Sequence, residues 1–292
     1  MRVLISTDTS CVLKYGMLEN NGINVFPLNV IIDGQEYLDG VTIDQNELCD
    51  AMRTGKDIKT STPPLGQIYE YFEKLFAEGY DKIIHFTISS KLSSMYDLFS
   101  NVAKNEFKDK LYVIDAYSVS TAMLSQVMYA KEEVDKGTPV EDIVKTVEER
   151  KEKSKIIFVP ENLTALKNGG RISPAVALIG NAIGIKPVIA LKDGGLEKEG
   201  ITRHVKRTIL EGLEVFKKDF PENEYDYCII KFDAKPDVVD YVLDHAQKMF
   251  PDKKLLSGVL PINVCAHCGP GTIGIVASLK INGKSLNEFM AD

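Results

Sequence analysis

Three short stretches of the chain combine glycine or hydroxyl residues with side chains that could do chemistry. In the first, His267 lies between two cysteines and is followed by three glycines. In the second, Arg171 follows a pair of glycines, and the third ends at Ser93 just before a predicted helix. An imidazole, a guanidinium and a hydroxyl mounted on turns suit an anionic group. These residues therefore predict a site for an anionic head group.

Cys265 and Cys268 have the C-x-x-C spacing that is typical of zinc sites and of dithiol redox motifs. A structural zinc site needs a second pair of ligands, and Cys228 is the only plausible third thiol. A thioredoxin-like motif would follow an early strand at the start of a helix, which is not the context here. We therefore expect small, half-buried thiols and no metal site.

The glycines from Gly269 to Gly274 match the dinucleotide pattern G-x-G-x-x-G. A dinucleotide fold would continue with a helix and then with a strand that carries an acidic residue, whereas residues 275–279 predict a strand. The sequence Gly283-Lys284-Ser285 lacks the upstream glycine of a phosphate loop, because position 278 is serine. We expect no nucleotide loop, and we expect the glycine turn to present His267 and backbone N–H groups to a ligand.

Hydroxyl-rich turns at residues 60–64 and 89–93 each precede a predicted helix, so each could be a simple helix cap. The residues Asp8-Thr9-Ser10 follow the first predicted strand. Because the carboxyl ends of parallel strands meet at one edge of a sheet, we expect all three turns to line one crevice. Hydroxyl donors and helix N-termini would hold an anion there.

The hydrophobic pattern places these turns on an α/β framework. In about the first 150 residues, strand patterns alternate with amphipathic helices, which is typical of βαβ units and a parallel sheet. A hairpin is predicted at Asp33-Gly34, between strands 25–32 and 36–38. We therefore predict an N-terminal α/β/α domain with a parallel sheet, at residues 1–153.

The second half has a different order of elements and predicts a C-terminal α/β domain with a mixed sheet, at residues 154–292. Residues 172–191 are rich in small side chains. Amphipathic helices are predicted at 202–217 and 236–250. Strands are predicted at 156–159, 227–232, 255–259, 262–266 and 274–279.

Composition narrows the class of protein. The chain has 35 Lys and Arg against 42 Asp and Glu, a net charge of −7, and no dense basic run, which argues against a nucleic-acid surface. The longest nearly uncharged stretch, 172–191, is broken by prolines and glycines and does not predict a membrane helix. Five cysteines and an N-terminus that looks like a strand rather than a signal peptide favour reduced thiols in the cytoplasm.

Seven short motifs follow one another along nearly the whole chain. They are Asp8-Thr9-Ser10, 27–30 with the hairpin to 37–39, 60–63, 88–93, 166–172, 185–187 and 266–271. In this order and combination the chain resembles the DegV family, the fatty-acid-binding subunits that work with a separate fatty acid kinase. The combination is highly specific, although each motif alone is weak.

The chain departs from the family's usual pattern at three places near the expected head group. Ser94-Met95 stands where the family usually has Gly-Thr, Thr62 stands in place of glutamine, and Cys268 stands in place of threonine. These changes leave Ser93, Arg171 and His267 in place. They bear on which acyl chain is preferred, and the motifs do not predict that preference.

The resemblance implies a long-chain fatty acid bound in a tunnel between the two domains, with no other cofactor and no metal. Residues 172–191 are a candidate for one tunnel wall, or alternatively for ordinary core. The residues implied at the ligand are Ser93, Thr60, Ser61, Thr62, Gly169, Gly170, Cys268 and Gly269.

The resemblance further implies that the protein is not a complete enzyme. It would present the carboxylate of the fatty acid to a partner kinase, which uses ATP to form an acyl phosphate. Arg171 and His267 would support the phosphoryl transfer more than lipid binding. Two alternatives stay open: a passive lipid carrier without a kinase, and an acyl hydrolase that uses Ser93 and His267. The nucleophile elbow G-x-S-x-G is absent from the sequence, which disfavours the hydrolase.

Overall fold

The computed structural model describes residues 1–14, 16–172, 184–253 and 255–289. The strands are β1 Val3–Asp8, β2 Asn24–Phe26, β3 Asn29–Ile32, β4 Gln35–Leu38, β5 Ile58–Ser61, β6 Lys82–Thr87, β7 Leu111–Asp115, β8 Lys155–Val159, β9 Lys186–Lys192, β10 Gly195–Thr202, β11 Tyr225–Phe232, β12 Leu256–Val259 and β13 Thr272–Leu279. The helices are α1 Met17–Asn20, α2 Gln45–Arg53, α3 Leu65–Ala77, α4 Met95–Glu106, α5 Ser120–Lys136, α6 Val140–Arg150, α7 Thr164–Asn168, α8 Val205–Asp219, α9 Pro236–Met249, α10 Ile262–Cys268 and α11 Leu286–Phe289. None of the helices in these ranges is long and apolar enough to cross a membrane.

The first sheet is parallel throughout, with the strand order β2-β1-β6-β7, as the sequence predicts. The loops after β1 and β6 meet at its carboxyl edge, where the backbone N–H of Ile88 donates to Asp8 Oδ2 at 2.7 Å. Burial raises the pKa of Asp8 to about 6, opposed by the hydrogen bonds from Ile88 and Ser10. This buried carboxyl fixes the segment that leads from β6 to helix α4.

A second, three-stranded antiparallel sheet has the order β4-β3-β5. The predicted hairpin at Asp33-Gly34 is confirmed, with both residues at positive φ. The predicted single strand 25–32 is wrong, because it divides into β2 and β3 around Pro27. Proline has no N–H to donate to a strand partner, so the chain leaves the parallel sheet there and enters the small one.

Strand β5 corrects a further expectation, that residues 60–64 form a turn at the edge of the parallel sheet. Thr60 and Ser61 lie within β5, and their partners in the antiparallel ladder are Val30 and Asn29. β-branched threonine suits a pleated strand, and the helix start comes only after Pro63-Pro64. The hydroxyls of this segment are therefore carried by the small sheet.

The third sheet is mixed, as predicted, with the order β10-β9-β8-β13-β11-β12. Only the pair β11 and β12 is parallel. The hairpin of β9 and β10 is not among the elements predicted from the sequence, although its turn, Asp193-Gly194, has the positive φ angles of a tight hairpin turn. Most of β9 lies within residues 172–191, which the sequence marks only as rich in small side chains.

The predicted strand 262–266 is wrong, because these residues belong to helix α10. Pro261 takes the cap position, and Ile262, Cys265 and Ala266 are buried. Burial at positions i, i+3 and i+4 is the helical pattern. A run of five residues is too short for the sequence alone to distinguish a helix from a strand. His267 consequently lies in the last turn of a helix.

Helix α5 joins the parallel and mixed sheets. Its first eleven residues, from Ser120 to Ala130, are all buried, and the helix packs against both β1 and β13. A helix buried all round belongs to the middle of a layered core. The predicted domain boundary at residues 153 and 154 lies between α6 and β8, and it stays a prediction.

Candidate functional site

A cavity of about 380 Å³ lies between the parallel and mixed sheets. This volume falls within the roughly 300 to 1,000 Å³ of small-molecule sites. Its wall is mainly hydrocarbon, so the cavity suits a ligand that is mostly apolar. The apolar side chains of the wall are Leu28, Ile88, Leu92, Met95, Val119, Ile156, Phe158, Leu166, Leu191, Leu196, Ile230, Leu260 and Val264.

Most of the predicted site residues line the same cavity. They come from strand β5, the start of α4, the turn after α7 and the end of α10. The structure brings together Ser93, Thr60, Ser61, Thr62, Arg171, His267 and Cys268. These elements are far apart in sequence, so the fold supplies the juxtaposition that the separate motifs could not.

Helix α4 begins directly after two cavity-lining serines. Ser94 is its cap residue, but its side chain makes no capping hydrogen bond. The backbone N–H of Ser93 donates to Ser89 O at 3.1 Å, and Ser93 lines the cavity. The start of this 12-residue helix therefore offers hydroxyl and backbone donors at its positive end.

His267 is neutral at physiological pH. Its Nε2 lies 2.9 Å from Thr60 Oγ1, and its buried Nδ1 has no partner among the described residues. Burial, with a smaller contribution from the charge of Arg171, lowers the pKa of His267 to about 4. The ring therefore acts as a hydrogen-bonding group there, and the positive charge of the site belongs to Arg171.

Arg171 is a half-buried cation at the end of the apolar cavity. Its Nε donates to Leu92 O at 3.1 Å, and its Nη1 donates to Gly169 O. Within the described ranges no carboxylate forms an ion pair with it. Burial lowers the pKa of Arg171, but guanidinium groups in proteins stay protonated. The cation is oriented by neutral carbonyls and its charge is left for a ligand.

A second cavity, of about 620 Å³, borders the first. Thr60, Arg171, His267 and Cys268 line both. The second cavity is edged by exposed side chains, among them Lys56, and we call it the surface groove. The four shared residues therefore stand between the apolar cavity and the protein surface.

The three predicted glycines lie beside the cavity rather than in its wall. Gly169 and Gly269 line the surface groove, and Gly170, at φ +69, makes the turn that leads to Arg171. A Cβ at Gly169 would overlap His267 Nδ1 and lie 2.9 Å from its Cε1. Gly169 is thus required for the placement of the imidazole ring.

The two cysteines of the C-x-x-C motif are more deeply buried than predicted, with exposed fractions of 0% for Cys265 and 4% for Cys268. Burial raises the pKa of the Cys265 thiol well above its usual range. Across the part of the chain that the structure describes, no three His, Cys, Asp or Glu residues are grouped as metal ligands. The strand predicted at 274–279 is confirmed and belongs to β13, Thr272–Leu279.

The prediction that Asp8-Thr9-Ser10 lines the crevice is wrong. All three residues are buried, and none of them lines either cavity. Thr9 Oγ1 donates to Asp39 Oδ2 at 3.0 Å, and Asp39 Oδ2 also accepts a hydrogen bond from the backbone N–H of Asn263. The turn therefore fastens α10 to the N-terminal strands.

Two polar residues of the cavity wall, Asn29 and Asn263, are not predicted as site residues from the sequence, and Ser94, noted there only as a departure from the family pattern, also lines the cavity. Asn29 lies in the motif 27–30 and Asn263 just after Pro261, but no spacing rule connects them. Of the proposed tunnel wall 172–191, residues 173–183 lie outside the described residues, while Leu191 lines the cavity.

Comparisons with known proteins agree with this architecture. Residues 2–280 match the model of a family described as "Uncharacterised protein, DegV family". A DegV domain-containing protein of Staphylococcus aureus strain N315 is 34% identical over 283 residues, which cover 95% of this chain and 99% of the relative.

Two solved structures are similar over nearly their whole length. One, described as "Fatty Acid Binding of a DegV family Protein from Thermus thermophilus", has a TM-score of 0.84 and 26% identity, covering 96% of this chain and 100% of that chain. Another, from Thermotoga maritima and described as revealing fatty acid binding function, has a TM-score of 0.80 and 25% identity, covering 96% and 99%.

The contact between Gly169 and His267 yields a stability prediction. The added methyl group of Gly169→Ala would overlap the imidazole and force it away from Thr60. The cost comes from this overlap and not from the backbone, because the φ of Gly169 is −73°. Overpacking of this kind lowers the free energy of unfolding by about 1 to 3 kcal/mol. Urea unfolding measures the change.

The matched control is Gly66→Ala in helix α3, where a Cβ meets nothing within 4 Å. Alanine there leaves the stability unchanged or raises it by up to about 1 kcal/mol. A Gly169→Ala variant as stable as the Gly66→Ala variant would show that the ring is not held by this contact.

Proposed function

The chain belongs to the DegV family, and on that basis we propose that it binds a long-chain fatty acid and presents its carboxylate to a partner kinase. The observation that carries the proposal is a half-buried Arg171, without a carboxylate partner in the described ranges, at the end of an apolar cavity. A ligand that satisfies both features has one negative charge and a long hydrocarbon part. The two similar structures described as binding fatty acids support this ligand class.

We assign the carboxylate to the hydroxyls of Ser93, at the start of α4, and of Thr60 and Thr62, in and just after β5. Ser93 and Thr62 line the same cavity as Arg171, and the helix N-terminus adds its positive dipole end. When His267 Nε2 donates to Thr60 Oγ1, the Thr60 hydroxyl is free to donate to the carboxylate. The neutral ring thus orients a hydroxyl donor without adding a second charge.

The acyl chain occupies the apolar part of the cavity. Each methylene removed from water contributes about 0.8 kcal/mol, which is roughly a fourfold change in affinity. The side chains that surround it come from both halves of the protein, for example Ile88, Phe158 and Ile230. Chain length therefore determines most of the affinity, and the polar residues determine the orientation.

The surface groove gives the carboxylate a route to a partner. Thr60, Arg171, His267 and Cys268 line both the groove and the cavity, so a head group held there would be reachable from outside. A carboxylate oxygen would attack the γ-phosphorus of ATP held by the kinase, ADP would leave, and an acyl phosphate would form. Arg171 would stabilise the charge of the transferring phosphoryl group.

The hydrolase alternative needs a hydrogen bond between Ser93 and His267, because a serine nucleophile requires an adjacent base. His267 Nε2 is instead hydrogen-bonded to Thr60 Oγ1. With a pKa of about 4, the imidazole is too weak a base to activate a serine efficiently at neutral pH. The geometry therefore favours a binding subunit. A passive lipid carrier would have the same cavity, so only the kinase-coupled assay below distinguishes it from a kinase-binding subunit.

The first functional prediction concerns the bound lipid. Mass spectrometry of solvent extracts from the purified protein should recover long-chain fatty acid in near-stoichiometric amount. After delipidation, affinity should rise roughly fourfold per added methylene and level off once the cavity is full. Recovering no fatty acid, together with no binding of added saturated or unsaturated acids, would refute the proposal.

The second functional prediction separates lipid binding from phosphoryl transfer. With ATP and the cognate kinase, Arg171→Ala should lower acyl-phosphate formation by about 100-fold or more. Fatty-acid affinity should stay within a few-fold, because the acyl chain supplies most of it and the hydroxyls and the start of α4 still hold the carboxylate. His267→Ala should act in the same direction, and Ser93→Ala should mainly weaken binding.

Arg171→Lys is the matched control, because it keeps the charge but not the planar fork. It should recover part of the transfer rate. If Arg171→Ala lowers binding and transfer in proportion, the separate role of the guanidinium is wrong. If the wild-type protein yields no acyl phosphate, the carrier alternative gains.

A further inference from the structure

Three residues of the cavity wall carry a buried polar atom without a hydrogen-bond partner in the described ranges. Asn29 and Asn263 are 7% and 5% exposed, and each has a buried Oδ1 without a hydrogen-bond partner among the described residues. Ser61 Oγ is likewise buried without a partner. All three residues line the apolar cavity, and we call them the polar triad. Unpartnered polar atoms of this kind are costly in an interior, so each calls for a partner.

The fold holds the triad together. Asn29 and Ser61 are directly paired across strands β3 and β5, which places their side chains on one face of the small sheet. Helix α10, which carries Asn263, packs against both strands. Asn263 is fixed on two sides, since its backbone N–H donates to Asp39 Oδ2 at 3.0 Å and its Nδ2 donates to Ser10 Oγ at 2.7 Å. Its Oδ1 is left for the cavity.

The triad lies beside the head-group residues. Ser61 lies between Thr60 and Thr62, and all three residues line the same cavity, so the triad borders the proposed carboxylate site. Consecutive Cα atoms are about 3.8 Å apart, and directly paired side chains about 5 Å apart. A group bound by the triad therefore belongs to the first few carbons of the acyl chain.

The chemistry of the triad differs from that of the head-group site. Two amide oxygens accept hydrogen bonds and repel a carboxylate, which is itself only an acceptor. A ligand hydroxyl can donate to one amide oxygen and accept from the hydroxyl of Ser61. A plain methylene at this place would leave the three groups unpartnered, and sites built to bond a hydroxyl discriminate against ligands that lack it.

We propose that the polar triad is a subsite for a hydroxyl group close to the carboxylate, so that the preferred ligands are 3-hydroxy fatty acids. This inference rests on the proposed binding of a fatty acid in the same cavity. It assigns Asn29, Ser61 and Asn263 to the choice of acyl chain and leaves Arg171 and Ser93 with the head group.

The test compares three ligands of equal length by calorimetry on the delipidated protein: hexadecanoic, 3-hydroxyhexadecanoic and 16-hydroxyhexadecanoic acid. The 3-hydroxy acid should bind roughly tenfold tighter than hexadecanoic acid, as one well-made buried hydrogen bond provides. The 16-hydroxy acid should bind no tighter than hexadecanoic acid. Asn29→Leu should remove the preference while binding hexadecanoic acid at least as well as wild type.

Ser61→Ala is a second variant that should reduce the preference, and the exposed Asn105→Leu is a control that should leave it unchanged. Urea unfolding verifies that each variant is folded. Equal binding of the three acids, an equal gain from the 16-hydroxy group, or a preference that survives Asn29→Leu would overturn the subsite while the fatty-acid proposal stands. Failure of all three acids to bind wild type would overturn both.

Discussion

The charge of Arg171 is the constraint on which the site depends. A guanidinium that is half withdrawn from water and lacks a carboxylate partner in the described ranges must be oriented by neutral groups. Leu92 O, just before helix α4, and Gly169 O, just after helix α7, provide that orientation. One side chain thus ties together two turns that come from different halves of the protein.

The neighbours of Arg171 follow from the same constraint. A second cation beside it would be repelled, and His267 is neutral because burial and the arginine charge both lower its pKa. The imidazole ring fits only because Gly169 has no side chain. The donors that remain, the hydroxyls of Ser93 and Thr62 and the start of helix α4, are neutral. The site therefore offers one fixed positive charge and several dipoles to an anion.

The sequence predicts much of this fold because local patterns determine it. The βαβ alternation, the Asp33-Gly34 turn and helix α3 depend on residues close together in the chain, and each is confirmed. The errors occur where a local pattern is shared by two structures. Five residues from Ile262 fit a strand or a helix, and only the packing of α10 against β3 and β5 decides between them.

The site shows the same division between local and long-range information. Arg171, His267 and Ser93 could be singled out because each adjoins a glycine or hydroxyl turn, and the structure places all three at one cavity. Asn29 and Asn263 could not, since a buried asparagine has no sequence pattern of its own. Thr60 and Ser61 were assigned to the site but to the wrong sheet, because the pairing of β5 with β3 is a long-range contact.

The ionisation state of a bound fatty acid tests the account most directly. Burial in an apolar cavity raises the pKa of a carboxyl group, whereas a nearby guanidinium and hydrogen-bond donors lower it. Carbon-13 NMR of the protein loaded with carboxyl-labelled hexadecanoic acid, titrated from about pH 8 to about pH 5, shows which effect wins. We predict that the bound carboxyl keeps the chemical shift of the ionised form throughout. A carboxyl that takes up its proton within this range would contradict the assignment of Arg171 and its neighbouring donors to the head group.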